Sequence, residues 1–140
     1  MAQPSIQNNA TRDPAAGKVL VEDVLRLNFI FSAAGAALQL AIPASVEEPI
    51  FLDEVIFIVT TAFAGGTPSI DVGDGTTADA YIATADITET SLGDVSRSLT
   101  AAQPKADGEY LTAERRVTVT LSASLTAGAG TVLARIFRLA

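Results

Sequence analysis

Asp71, Asp74 and Asp79 stand close together around two glycines, in the pattern D-x-G-D-G-x-x-x-D. Clustered carboxylates among turn-permissive glycines are what a hard cation such as Ca²⁺ takes as ligands. The spacing is not that of an EF-hand, which places acids at alternating positions and ends on a bidentate Glu. It also occurs once, unlike the ligand repeats of calcium-binding β-helices. Asp and Gly are equally the residues of a plain turn, because Asp bonds nearby amides and Gly tolerates positive φ. We read the segment as a turn, with Asp71, Asp74 and Asp79 as the candidate metal ligands, and expect no cofactor. An occupied site would make the chain a cation-dependent carbohydrate-binding module, although Tyr81 and Tyr110 are its only aromatic platforms near a loop.

Acid–base chemistry has two further candidates, the adjacent pairs Glu47–Glu48 and Asp53–Glu54. Two carboxylates a few ångströms apart can serve hydrolysis. Neighbours on a strand, however, point to opposite faces, so neither pair is expected to converge. The chain has no His, no Cys and no Trp. Those absences remove the thiol nucleophile, the imidazole base and the imidazole or thiolate metal site. No enzyme is expected.

Nine basic residues against sixteen acidic ones give a net charge of −7. Nucleic-acid affinity rests on cationic neutralisation of phosphates, and no broad basic face is available here. Arg115–Arg116 and Arg135 with Arg138 are short groups inside strand-like patterns, read as solvated faces or ion pairs. No nucleic-acid partner is expected. Neither is a membrane, since no apolar run reaches the ~20 residues of a spanning helix. The N-terminus has neither the basic nor the apolar region of a signal peptide, which implies synthesis in the cytoplasm.

A chain of 140 residues is about one domain. Residues 1–17 differ from the rest: they are rich in Pro, Gln and Asn, with Ile6 the one large aliphatic side chain after Met1. Such a stretch cannot bury enough apolar surface to fold alone, so it reads as an extended arm. Gln3, Ile6, Asn8 and Arg12 are its candidate contacts with a partner or a neighbouring subunit. Residues 18–140 form the body. There Leu25, Leu27, Phe29 and Phe31 alternate with polar or outward residues, the period of a half-buried strand. Leu38, Leu40 and Ile42 predict a second strand ended by Pro43. Between Ile50 and Ala62, Val55, Phe57 and Val59 share one face while Ile56 and Ile58 share the other. That pattern predicts a central strand whose second face meets another sheet or another subunit.

Leu92, Val95 and Leu99 have helical spacing and predict at most one helical turn in a long loop from Ala83 to Lys105. Val117, Val119, Leu121 and Ala123 make a clean strand. Ala127 to Gly130 reads as its turn and Thr131 to Leu139 as its return, an antiparallel hairpin. Six to eight short strands with Gly/Pro turns predict an all-β, antiparallel sandwich or jelly-roll-like single domain. Apolar residues on both faces and few edge charges predict a cyclic homo-oligomer.

Three segments carry a resemblance: Ser69 to Ile82 (SIDVGDGTTADAYI), Arg116 to Ala123 (RVTVTLSA) and Ala127 to Ile136 (AGAGTVLARI). With the polar arm they resemble the head decoration, or cement, proteins of tailed bacteriophages. The resemblance implies a β-sandwich subunit, assembled as a trimer on the outer capsid surface. Its partner would be the major capsid protein, and its task to lock capsomers against internal pressure. It implies no catalytic residue. Other virion components, of tail, neck or fibre, share the style.

Overall fold

The computed structural model describes residues 12–13, 18–105 and 107–139. Nine strands are described in chain order. They are β1 (Arg12–Asp13), β2 (Lys18–Ile30), β3 (Gln39–Ile42), β4 (Ile50–Gly65), β5 (Ile70–Gly73), β6 (Val95–Arg97), β7 (Glu109–Leu111), β8 (Arg115–Leu121) and β9 (Leu125–Leu139). Short 3₁₀ turns at Gly35–Leu38, Thr84–Asp86 and Ser98–Thr100 complete the described elements, and no α-helix is among them.

Two antiparallel sheets share one core. The larger runs β1-β2-β9-β4-β6, with β7 also pairing along β4, and the smaller runs β3-β8-β5. The fold is therefore all-β, as the alternation requires. Three strands of 13, 16 and 15 residues carry the larger sheet, so it is built from long strands rather than from many short ones. Val55, Phe57 and Val59 of β4 are fully buried and pack with Ile42, Ile70, Val72, Val117 and Val119 of the smaller sheet. Phe29, Phe57 and Phe63 form an aromatic trio with centroids 5.9–6.4 Å apart. The second sheet thus lies on the Val55/Phe57/Val59 face. Ile56 and Ile58 are half-buried on the opposite, outer face.

The expected hairpin at the C-terminal end is not formed. β8 pairs with β3 and β5, whereas β9 pairs with β2 and β4, so the two strands lie in different sheets. Ala127 to Gly130 lies within β9, and the chain turns earlier, at Ala123–Ser124. The glycine there serves packing. A Cβ on Gly130 would come within 2.7 Å of Phe57 Cε1 and 2.9 Å of Phe29 Cζ, so its absence admits the aromatic trio.

Leu92, Val95 and Leu99 do not share a helix, and Leu99 alone lies in a 3₁₀ turn, Ser98–Thr100. All three are exposed, and Val95 opens β6, a strand against Ile58. Helical periodicity has no consequence where no apolar face is buried.

Candidate functional site

The Asp71–Asp79 loop is closed by its own backbone. Asp74 Oδ1 accepts the Thr76 and Thr77 amides at 2.9 and 2.7 Å, and its other oxygen pairs with Lys105 Nζ at 2.9 Å. Asp71 Oδ1 accepts the Thr84 amide at 2.8 Å. A Cβ on Gly73 would lie 2.0 Å from the Thr77 carbonyl oxygen, so this tight return needs glycine. The three carboxylates do not converge. Among the described residues no group of three or more acidic side chains could hold a metal ion. The carbohydrate-module reading loses the ligand set on which it depended.

A network that spacing did not reveal lies directly beneath this loop. Tyr81 is buried, and its hydroxyl donates to Glu109 Oε1 at 2.7 Å. Arg115 donates to the same hydroxyl at 2.9 Å and also to Glu109. Lys105 pairs with Glu109 at 2.8 Å as well as with Asp74. Burial raises the Tyr81 phenol, and the neighbouring Glu109 carboxylate raises it further, beyond its ordinary range. Burial would raise the Asp74 carboxyl too, but the Thr77 amide, Lys105 and the Thr76 amide together hold it far below the ordinary value. Glu109 shows the same balance: burial opposes ionisation, and Lys105, Tyr81 and Arg115 outweigh it. Every member is committed to a partner. This arrangement clamps the loop onto β7 and β8. The usable signal was Tyr81 itself, because a buried phenol needs a partner. Its partners, 28 and 34 positions downstream, share no spacing with it.

A second network lies on the outer face of the larger sheet. The ladder between β4 and β9 shifts register between Leu52 and Glu54. That irregularity undoes the strict alternation expected for Asp53–Glu54. Both carboxylates reach Arg135, at 2.6 Å from Asp53 and 3.2 Å from Glu54. Glu54 is fully buried and also pairs with Arg97 of β6. Extra residues at bulges re-aim side chains in this way. Neither arginine group forms a basic patch: Arg115 and Arg135 are paired as above, Arg138 pairs with Asp23 and Arg116 with Glu114.

Beside that network the outer face carries apolar side chains. Ile56 stands opposite Leu133 and Arg97, and Ile58 opposite Thr131 and Val95. At one end Phe51 stands opposite both Phe137 and Tyr110, and with Leu20, Pro49 and Arg138 these rings line a shallow concavity. Of the proposed arm contacts, Gln3, Ile6 and Asn8 lie outside the described residues. Arg12 stands in β1 opposite Val19 of its own chain.

This architecture has known counterparts. The fold is shared with phage capsid structures. A chain of the cyanophage Pam1 capsid asymmetric unit matches with a TM-score of 0.58 at 13% identity, covering 83% of this chain and 84% of that one. A chain of the acidic stable capsid of Helicobacter pylori bacteriophage KHP30 matches with a TM-score of 0.55 at 14% identity, covering 86% and 92%. A chain of the capsid of Ralstonia phage GP4 matches with a TM-score of 0.53 at 24% identity, covering 85% and 83%. At these identities the likeness is one of fold. No family model matches the sequence, and no curated protein matches it significantly.

Proposed function

We propose that this chain is a structural virion protein that binds the outer surface of a phage capsid and braces the contacts between capsomers. The observation that carries the reading is the fold likeness to chains of three phage capsid structures, over 83% or more of this chain and of each of those chains. Net charge supports the outer surface: at −7 a lining that faced packaged DNA would be repelled. Two fully paired ion networks suit a protein that bears load rather than one that turns over a substrate. The major capsid protein is the partner, met by the arm residues Gln3, Ile6, Asn8 and Arg12 and by the outer face around Ile56 and Ile58.

The test is to mix purified protein with undecorated capsids and image them by electron microscopy. Added density on the outer surface is expected, and a chain beginning at Lys18 should keep its circular dichroism while losing most of its capsid affinity. Capsids that stay bare at saturating protein would overturn the proposal.

A further inference from the structure

β2 has one side turned away from its sheet. Phe31 N–H donates to the Gly128 carbonyl at 2.9 Å. Backbone groups alternate sides along a strand, so the odd-numbered residues of β2 bond β9 and the even-numbered ones, Leu20 to Ile30, face outward. On that side β1 covers Lys18 and Val19 and goes no further among the described residues. Two groups are taken locally: Asp23 Oδ1 accepts the Val24 amide at 2.8 Å, and the Ile30 carbonyl accepts the Ala33 amide at 3.0 Å. The rest of this edge, eleven residues long, has no backbone partner among the described residues. It also carries Leu20, Val24 and Ile30 at 39%, 52% and 55% exposure. Long unpaired edges of this kind are templates for strand addition.

We propose that a second copy of this chain occupies the edge, β2 against β2, antiparallel about a two-fold axis at Leu25. One register fits. Outward-facing groups must meet each other, so even-numbered residues pair with even-numbered ones. With Leu25 on the axis, Leu20 lies opposite the partner's Ile30, Glu22 opposite the partner's Asn28, and Val24 opposite the partner's Arg26. The two apolar ends cover each other. Glu22, which also lies 3.7 Å from Arg135 of its own chain, falls diagonal to the partner's Arg26, within reach of long side chains. The paired segment, Leu20 to Ile30, fills the opening and stops where β1 begins. A slip of one pair towards the N-terminus drives the partner's Ile30 against Lys18, the place Asp13 holds. A slip the other way sets Arg26 opposite the partner's Arg26, a like-charge contact. Pairing exchanges the Asp23 bond on Val24 for the carbonyl of the partner's Arg26, while Arg138 keeps Asp23 at 3.1 Å. The result is a two-fold dimer with one continuous sheet, in place of the trimer that the resemblance implies. The surface is independent of the capsid reading, because purified protein alone displays it.

Sedimentation equilibrium of the full chain tests it, and the expected mass is twice 14.4 kDa. Val24→Pro removes an edge N–H that only a side chain uses, so it should stay folded by circular dichroism and sediment as a monomer. Should that variant misfold, charge reversal decides: Glu22→Arg weakens the dimer at least tenfold, and adding Arg26→Glu restores it. Removing residues 1–11 leaves the dimer intact. A wild-type monomer or trimer overturns the proposal, as does charge reversal without rescue. So does a monomer that dimerises only after residues 1–11 are removed, because the edge would then belong to the chain's own N-terminal segment.

Discussion

The Tyr81 hydroxyl donates to Glu109 at 2.7 Å, across 28 positions of sequence and from beneath the acidic loop. This bond joins the loop to β7. With Asp74, Lys105 and Arg115 it makes a network in which each charge is held by an opposite one.

The network limits stability at both ends of the pH scale. Asp74 and Glu109 are held below their ordinary values of 3.8 and 4.5. A carboxyl depressed in the native state stabilises it fully above the unfolded value, and that stability is lost as pH falls through the folded one. Tyr81 and Lys105 are raised above 10.0 and 10.5. Their contribution is complete below those values and is lost as pH rises through the folded ones. Melting temperature should therefore be flat near neutrality, fall below about pH 4.5 and fall again above about pH 10. Asp74→Asn should flatten part of the acid limb in thermal scans. An unchanged limb would mean that Asp74 is not charged in the folded protein.

Glu54 has no solvent of its own and depends on Arg97 and Arg135. Arg135→Ala should lower the melting temperature by leaving a buried carboxylate with one partner. The double variant Glu54→Met with Arg135→Met should regain most of the loss, because the buried charge leaves with its counter-ion. Calorimetry of the three proteins checks both halves of this expectation.

Gly130→Ala inserts a methyl group between Phe57 and Phe29. Overpacking of this kind costs about 1–3 kcal/mol. Adding Phe57→Leu should recover part of it by vacating the clashing ring edge. Urea denaturation gives the comparison, and a neutral Gly130→Ala would return this glycine to a turn.

Phe57→Ala should cost about 3–5 kcal/mol, as a large-to-small change in a packed core. Ile58→Asp, one position away on the half-buried outer face, should fold with a much smaller loss and reduce capsid decoration. Equal destabilisation of the two variants would contradict the assignment of faces.

Alternation along the strands was legible because it is local. Successive side chains leave a strand on opposite faces whatever it pairs with, so Val55, Phe57 and Val59 were identifiable as one core face before any fold was known. Composition, likewise local, excluded thiol and imidazole chemistry. The partners of those strands were another matter. β8 and β9 read as a hairpin because each alternates and glycines lie between them, yet they enter different sheets. Their glycine answers to rings contributed by β2 and β4. Asp53 and Glu54 were placed on opposite faces by the same alternation, until a register shift against β9 turned both towards Arg135. Tyr81 met Glu109 and Arg115 through the docking of distant strands, which no spacing encodes. Side-chain facing follows from covalent geometry within a few residues. Pairing, register shifts and close approaches are decided by what the rest of the chain packs against them.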